Sequence, residues 1–575
     1  MPENRCTLAS AFDVQRARTI RSFPVATLLL ISAAFIAACA SRSARPEADA
    51  VTHDVVVYGA TPGGIAAAVA ARREGKSAVI MEPLPLVGGM LSGGMGFSDS
   101  WLMRRDTLGG LFVEFRRRVE RGYIDRGVRL PYQVAATDRH PWTSEPRVNQ
   151  KVFEAMLREA GVEIRLNETL RRVERQVASD GAWIAAIHTQ SGARLRGKVF
   201  IDASYEGDLL AAANVKYRIG REGRGEFGES LAGVGAPRDA GRSISGLDEN
   251  GKPMPLITGT GLSPAGTGDK KIQAYNFRVC VTADPSNRVP FAEPPHYEPS
   301  RYELFRRMYR EFPDYGIIGA PAWLTEDGLP FTMLRLPGNK FDANDHVSMA
   351  PATLSLGLVG ASWEYPEADF ARRQQLWDDH RRYTEGLFHF LKADAAVPER
   401  VRARMRQLGY CRDEFVASGH FPPVLYVREG RRMIGEYFMT QADIEGRQEK
   451  PDPIGIGSFN VDSHAVQQVV LADGRLITEG GFSEPDTTGP YQIPYRSILP
   501  QAQESRNLLV PVALSASHVA FSSLRVEPTW MVLGQSAGIA ASIAIEDEVA
   551  VQQVSVSKLM KRLEARGQIL KLPAE

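Results

Sequence analysis

The sequence predicts an α/β fold in which a mostly parallel sheet is assembled from two distant stretches of one chain, with a long α+β insertion between them. Three observations predict it. His53 to Met81 reads as an apolar strand, a glycine-rich turn, an alanine-rich helix and a second apolar strand, and near-continuous apolar runs are what strands buried on both faces require. Leu170 to Val177, Trp183 to Thr189 and Arg194 to Phe200 read as a three-strand meander, with turns at Asp180-Gly181 and Ser191-Gly192, that returns to that sheet. Far downstream, Asn507 to Leu514 (NLLVPVAL) reads as another buried strand, followed after a turn over Ser515 to Leu524 by a helix from Val526 to Ile545.

The chain has 575 residues, 43% hydrophobic and 24% charged, with a formal net charge of +1. That suits a globular protein of two or three domains with ample core, and its near-neutral balance gives no footprint for nucleic acid. Arg16, Arg18 and Arg21 precede an apolar run from Phe23 to Ala38 that ends Ile36-Ala37-Ala38-Cys39. That run is short for a spanning helix. Its end resembles the lipobox of bacterial lipoproteins, which implies export and a membrane anchor on a lipidated Cys39. The expected organisation is a signal peptide over 1–39, a tether over 40–52, a first nucleotide-binding part over 53–217, an inserted substrate or cap region over 218–500, a second nucleotide-binding part over 501–546 and a closing helix over 547–575.

Within the first part, Val55-Val56-Val57-Tyr58 runs into Gly59-Ala60-Thr61-Pro62-Gly63-Gly64, and the second strand stops at Glu82. This is the dinucleotide fingerprint: a tight turn, a helix N-terminus aimed at a pyrophosphate, and an acid for the ribose hydroxyls. Glu82 follows Gly64 by 18 residues, against the roughly 20 expected. Thr61 stands where the fingerprint has its middle glycine. A second glycine-rich loop, Gly88-Gly89-Met90-Leu91-Ser92-Gly93-Gly94, follows closely. A nicotinamide cofactor has no need of it, whereas a flavin requires backbone to pass flat against its ribityl chain and ring. The expected cofactor is therefore FAD. The insertion holds no second GxGxxG, so no NAD(P)H domain is expected and electrons should enter from a small-molecule organic substrate. The helix after the C-terminal strand carries Gly534, Ser536, Ala537, Gly538, Ala540 and Ala541, small residues that let it pack closely on the sheet. Its N-terminus, at Val526 and Glu527, is expected to face the flavin and to favour the anionic reduced ring.

The segments VYGATPGGIAAA, VGGMLSGG, IDASYEGDLLAAA, REGRRMIGEYFMTQ, GSFNVDSHAVQ, PYQIPYRSILP and LSASHVAFSSLRVEPTWMVLGQSAG together resemble the bacterial FAD-dependent oxidoreductase family related to glutathione-reductase-type flavoproteins. The resemblance implies a Rossmann-like FAD-binding domain built from N- and C-terminal segments, a large inserted α+β substrate domain, and redox chemistry. The candidate cofactor contacts are Gly59, Thr61, Pro62, Gly63, Gly64, Glu82, Gly88, Gly89 and Met90 in the fingerprint and second glycine loop, Val526 and Glu527 at the C-terminal helix start, and Ala203, where Ala203-Ser204 stands for the Ala-Thr-Gly usual in related flavoproteins. Asp208 reads as the N-cap of a helix over Leu209 to Ala213, the alternative being a cofactor contact.

A flavin dehydrogenase needs a base for the donor's proton and a C–H bond held near N5. His518, just before the C-terminal helix, is one candidate base. Arg525, at the start of that helix, is placed to stabilise reduced flavin or grip an anionic substrate, or else to pair with Glu527. Asp462 and His464 share a face if their segment is a strand, and a carboxylate can orient the imidazole. Tyr491, Tyr495 and Arg496 are expected to line the pocket where the insertion rejoins the nucleotide-binding part, and Arg431-Arg432 reads as a surface pair. The histidines are scattered, with no HxH or HExxH spacing, so no metal site is expected. Cys280 and Cys411 have neither metal nor redox spacing. The leading expectation is hydride removal from a small polar substrate such as a sugar or hydroxy acid. Redox-neutral elimination on a sugar, and a non-catalytic glycan-binding role, are the alternatives.

Overall fold

The computed structural model describes residues 51–135, 140–179, 181–235, 243–315, 328–345, 354–446, 448–484 and 488–572. The leader, Cys39 and the tether up to residue 50 lie outside the described residues.

The core sheet starts with β1 (Val51–Tyr58), every residue of which from Val55 to Tyr58 is buried. The turn after it feeds α1 (Pro62–Arg73), whose face of alanines is buried, and then β2 (Ala78–Glu82). A short α2 (Gly89–Gly93), α3 (Gly110–Ile124) and α4 (Pro146–Ala160) follow, the last stopped by Gly161 in the left-handed conformation. Then come β3 (Glu163–Leu166), β4 (Leu170–Ala178), β5 (Gly181–Thr189), β6 (Arg194–Asp202) and the short α5 (Asp208–Ala212).

Seven strands form one sheet in the order β3-β2-β1-β6-β5-β4, with a seventh strand also paired to β6. β1 runs parallel to β2 and to β6, and β4, β5 and β6 are antiparallel neighbours. The insertion contributes β7 (Val279–Thr282), β8 (Arg288–Pro290), β9 (Thr332–Leu336), β10 (Lys340–Asn344), the long α6 (Phe370–Ala393) and β11 (Gly409–Cys411). Its strands make a five-stranded sheet ordered β8-β11-β7-β10-β9. Cys280 and Cys411, on the neighbouring β7 and β11, are buried free thiols. β12 (Val461–Ser463) precedes a hairpin of β13 (Gln467–Val470) and β14 (Leu476–Glu479), which turns at Gly474 with φ +83°.

The seventh strand of the core sheet is β15 (Leu508–Leu509), parallel to Phe200-Ile201 of β6. Only these two residues of the expected strand pair, because the other edge of β6 is shared with β5; Val510 to Leu514 are buried without a ladder. The stretch expected as a turn contains a helix, α7 (His518–Leu524), started by the Ser517 hydroxyl accepting from the Ala520 N–H at 3.1 Å. α8 (Glu527–Asp547) and α9 (Val556–Ala565) close the chain.

The small residues of α8 serve a partner other than the one expected. A Cβ on Gly534 would lie 2.0 Å from the Gly63 carbonyl, and one on Gly538 would lie 2.1 Å from that of Ala67. α8 therefore packs backbone to backbone on α1, so that both helix N-termini approach the C-terminal edge of the same parallel strands. Among the described residues no helix is long and apolar enough to cross a membrane.

Candidate functional site

At the end of β1, Gly59 sits at φ +100°, and a Cβ there would lie 2.7 Å from the Ser204 nitrogen. Only glycine fits this position. Thr61 is the N-cap of α1: its hydroxyl accepts from the Gly64 N–H at 3.1 Å and donates to the Ala203 carbonyl at 2.8 Å. The residue that departs from the fingerprint thus caps the helix and straps it to β6. Gly64 is forced as well, since a Cβ would meet the Gly59 carbonyl at 2.0 Å.

Glu82 is buried and accepts the N–H groups of Ala60 at 2.6 Å and Leu84 at 2.8 Å. Burial pushes its carboxyl up to about 7, against those two bonds. Gly88 and Gly89 have φ of +97° and +46°. The Met90 N–H donates to the Tyr205 hydroxyl at 3.0 Å, and that hydroxyl donates to Glu527 at 2.6 Å. Tyr205 therefore joins the second glycine loop to the start of α8, a link between three elements that no local pattern discloses. Burial pushes Glu527 up to about 8, with Asp99 acting in the same direction, so its carboxyl is mostly neutral at pH 7.

Gly59, Thr61, Glu82, Gly89, Ser204 and Tyr205 line one cavity of about 280 Å³. Beyond it, the first turn of α8 carries three buried polar atoms with no hydrogen-bond partner among the described residues: Glu527 Oε2, Thr529 Oγ1 and Trp530 Nε1. Unpaired buried polar atoms are costly unless a ligand meets them. A phosphate-approaching turn, an acid at the second strand end, a flat glycine loop and this unsatisfied helix start fit a flavin dinucleotide.

A second group of side chains collects around β12 and α7. His464 Nδ1 lies 2.8 Å from Asp345, while its Nε2 is 3.7 Å from Asp462. The carboxylate that orients this imidazole is thus Asp345, distant in sequence, and Asp462 is the looser neighbour. Burial, together with the Arg428 guanidinium, lowers the His464 pKa. Asp345 is held well below the usual carboxylate range by His464, against its burial.

His518 is buried, with Nδ1 2.8 Å from Glu429 and Nε2 3.4 Å from the Ser463 hydroxyl. Glu429 is held down to about 2: burial acts upwards, and His518 and Arg432 overcome it. Arg525 donates to the carboxylate of Asp462 at 3.0 Å and to its carbonyl at 2.8 Å. Its ion-pair partner is therefore Asp462 and not Glu527.

Three expectations are corrected. Arg431 and Arg432 form a buried pair, bound to Asp208 and to Glu222 respectively, each at 2.8 Å. Asp208 does not cap α5, whose N-cap is Gly207; its carboxylate carries Arg373 and Arg431. Tyr495 and its neighbours are engaged elsewhere: the Tyr495 hydroxyl donates to the Val551 carbonyl at 2.8 Å, Arg496 pairs with Asp452 at 3.0 Å, and the Tyr491 hydroxyl meets that of Ser523 at 2.8 Å.

Asp99 was not singled out by any sequence pattern. It follows the second glycine loop with φ +58°, a left-handed conformation that Asp adopts more readily than most residues. Its carboxyl has no hydrogen-bond partner among the described residues. Burial pushes it up to about 6, with Arg278 and Arg525 pulling down and Asp462 and Asp342 pushing up. Arg278 itself is clamped by Asp342, with Nε–Oδ1 at 2.9 Å and Nη2–Oδ2 at 2.5 Å. Asp99 is thus coupled electrostatically both to these ion pairs and to Glu527.

The fold and the cradle define a flavoprotein of the Rossmann-like kind, with one nucleotide site and an inserted second sheet. Residues 54–563 match the family described as FAD dependent oxidoreductase. The chain belongs to that family, and FAD is its cofactor. No curated protein matches it. Among solved structures it is similar to the anhydrotetracycline hydroxylase OxyS from Streptomyces rimosus, at 16% identity over 34% of this chain and 41% of that one, with TM-score 0.23. It is similar to THI4 from Thermovibrio ammonificans, at 16% identity over 34% of this chain and 74% of that one, with TM-score 0.22. AlpK is similar at 15% identity over 57% of this chain and 49% of its own, with TM-score 0.24. These likenesses are partial, and the chain spans less than half the length of OxyS and of AlpK; membership of the family rests on the sequence match.

Proposed function

We propose that this FAD-dependent oxidoreductase removes a hydride from a small polar organic substrate, a sugar or a hydroxy acid, and passes the electrons to a separate acceptor. The observation that carries the reading is Asp99, a carboxyl pushed up to about 6 by burial, with no hydrogen-bond partner among the described residues and within the field of Arg278 and Arg525. Bound FAD supplies the two-electron acceptor; the residues that would hold it are Gly59, Thr61, Glu82, Gly88, Gly89, Met90, Ala203 and the Val526–Glu527 start of α8. Asp99 takes the proton of the substrate hydroxyl whose carbon is oxidised, which is the task of a base with a pKa near the working pH. Arg525, fixed by Asp462, and Arg278, fixed by Asp342, hold the polar substrate and offset the developing negative charge. His464 and His518, each oriented by its carboxylate, Asp345 and Glu429, serve as substrate hydrogen-bonding groups.

The test is anaerobic titration of the holoprotein with a panel of sugars and hydroxy acids. Bleaching of the flavin absorbance by one of them, with recovery by an added acceptor, is the expected result. A panel member that is transformed with no flavin reduction and no acceptor consumed overturns the reading in favour of redox-neutral elimination. We also propose that the protein is exported and anchored to a membrane by lipid on Cys39. Cys39→Ser should abolish incorporation of labelled palmitate and release the protein from the membrane fraction.

A further inference from the structure

The nucleotide cavity has two walls. One is the fingerprint turn and Glu82; the other is the inserted helix α6, which presents Phe370, Arg373, Gln374 and Trp377 to the same space. Glu82 is the acid that the fingerprint assigns to the adenosine ribose, so α6 faces the adenosine half of the dinucleotide. Nothing in the fingerprint requires a helix there.

α6 is fastened in place. The Arg373 guanidinium grips Asp208 through two bonds, Nη1–Oδ2 at 2.7 Å and Nη2–Oδ1 at 2.9 Å. It also donates to the carbonyls of Tyr365 at 3.0 Å and Pro366 at 2.9 Å. A bidentate pair of this kind, with Arg373 buried, is directional and stronger than a solvated one. Around it, Trp377 Nε1 donates to the Tyr365 hydroxyl at 2.9 Å, which in turn donates to Glu206 at 3.1 Å. Glu206 lies in the turn after β6 and Asp208 opens α5; Tyr365, Arg373 and Trp377 belong to the insertion. The contact therefore ties the two walls together across the cavity.

We propose that α6 is a latch over the adenosine half of FAD: Phe370 and Trp377 offer an apolar and aromatic face to the nucleotide, and the Arg373–Asp208 pair holds the latch shut. Cofactor exchange then requires that pair to open, and release of FAD is slow for a mechanical reason separate from the fingerprint contacts. A protein that works outside the compartment where FAD is made would keep its cofactor by such a device.

Arg373→Met tests this without stranding a charge, because Asp208 keeps Arg431 at 2.8 Å. The readout is the rate at which FAD leaves the holoprotein after dilution, followed by the rise in free-flavin fluorescence. Arg373→Met and Trp377→Ala should each release FAD at least tenfold faster, and Arg373→Lys should fall between Arg373→Met and the wild type. Arg381→Met, on the exposed side of the same helix, where the arginine pairs with Glu385, should leave the rate unchanged. Unaltered release from Arg373→Met and Trp377→Ala overturns the latch, as does equal acceleration by Arg381→Met, which would mark general loosening of the helix.

Discussion

At the scale of single residues, Asp99 and the two histidines answer differently to the question of which group moves a proton. His464 and His518 each have Nδ1 committed at 2.8 Å to a buried carboxylate, Asp345 and Glu429. In each pair the carboxylate fixes the orientation of the ring. Asp99 has no such commitment, and its carboxyl is pushed up to about 6 by burial. The basic form therefore grows as pH rises through 6, and flavin reduction by substrate should rise between pH 5 and 7 and then level. Asp99→Asn should keep the bound flavin and its reduction by dithionite, while substrate-driven reduction falls about a hundredfold or more, the usual scale for a general base. Stopped-flow absorbance at the flavin band measures both. A pH profile unchanged in Asp99→Asn would remove this residue from the proton transfer.

At the scale of elements, the close crossing of α1 and α8 explains why two stretches so far apart in the chain form one cradle. Gly534 faces the Gly63 carbonyl with no room for a methyl group, so Gly534→Ala should force the helices apart and destabilise the fold by about 1–3 kcal/mol, as overpacking does. Chemical denaturation of the apoprotein reads the loss, and FAD affinity should drop with it, because Thr61, Gly63 and Glu527 are set by the same crossing. Much at this scale was legible in sequence. The apolar runs and glycines of the fingerprint, and the spaced turns of the meander, encode β1, α1, β2, β4, β5 and β6 locally. α7 was not legible: His518 to Leu524 buries every side chain, two serines included, so it lacks the polar face that marks a surface helix. Nor was the partner of α8, since small residues suit a sheet or a helix equally. The site was least legible. Asp345 with His464, Glu429 with His518 and Tyr205 with Glu527 are each joined across many residues by tertiary packing, and a local motif contains only one member of each pair.

At the scale of the whole molecule, the ends of β2 and β6 and the start of α8 bury acids whose pKa values burial raises. Glu82 and Asp202 are pushed up to about 7 and Glu527 to about 8 by burial. An acid with a raised folded pKa holds a proton that the unfolded chain gives up, so its stabilising contribution is complete below about pH 4.5 and is lost as pH climbs through the folded value. For Glu527 that loss runs from about pH 5 to about 8, at up to ~1.4 kcal/mol per pH unit. Glu527→Gln keeps an acceptor for the Tyr205 hydroxyl but cannot ionise. The variant apoprotein should match the wild type in denaturant midpoint at pH 5 and exceed it at pH 8, and the difference between the two curves cancels the pH dependence of Glu82, Asp202 and Glu429. Parallel curves across that range would mean that Glu527 ionises in the folded apoprotein as it does in water, and the start of α8 would then be an anionic site rather than a neutral one.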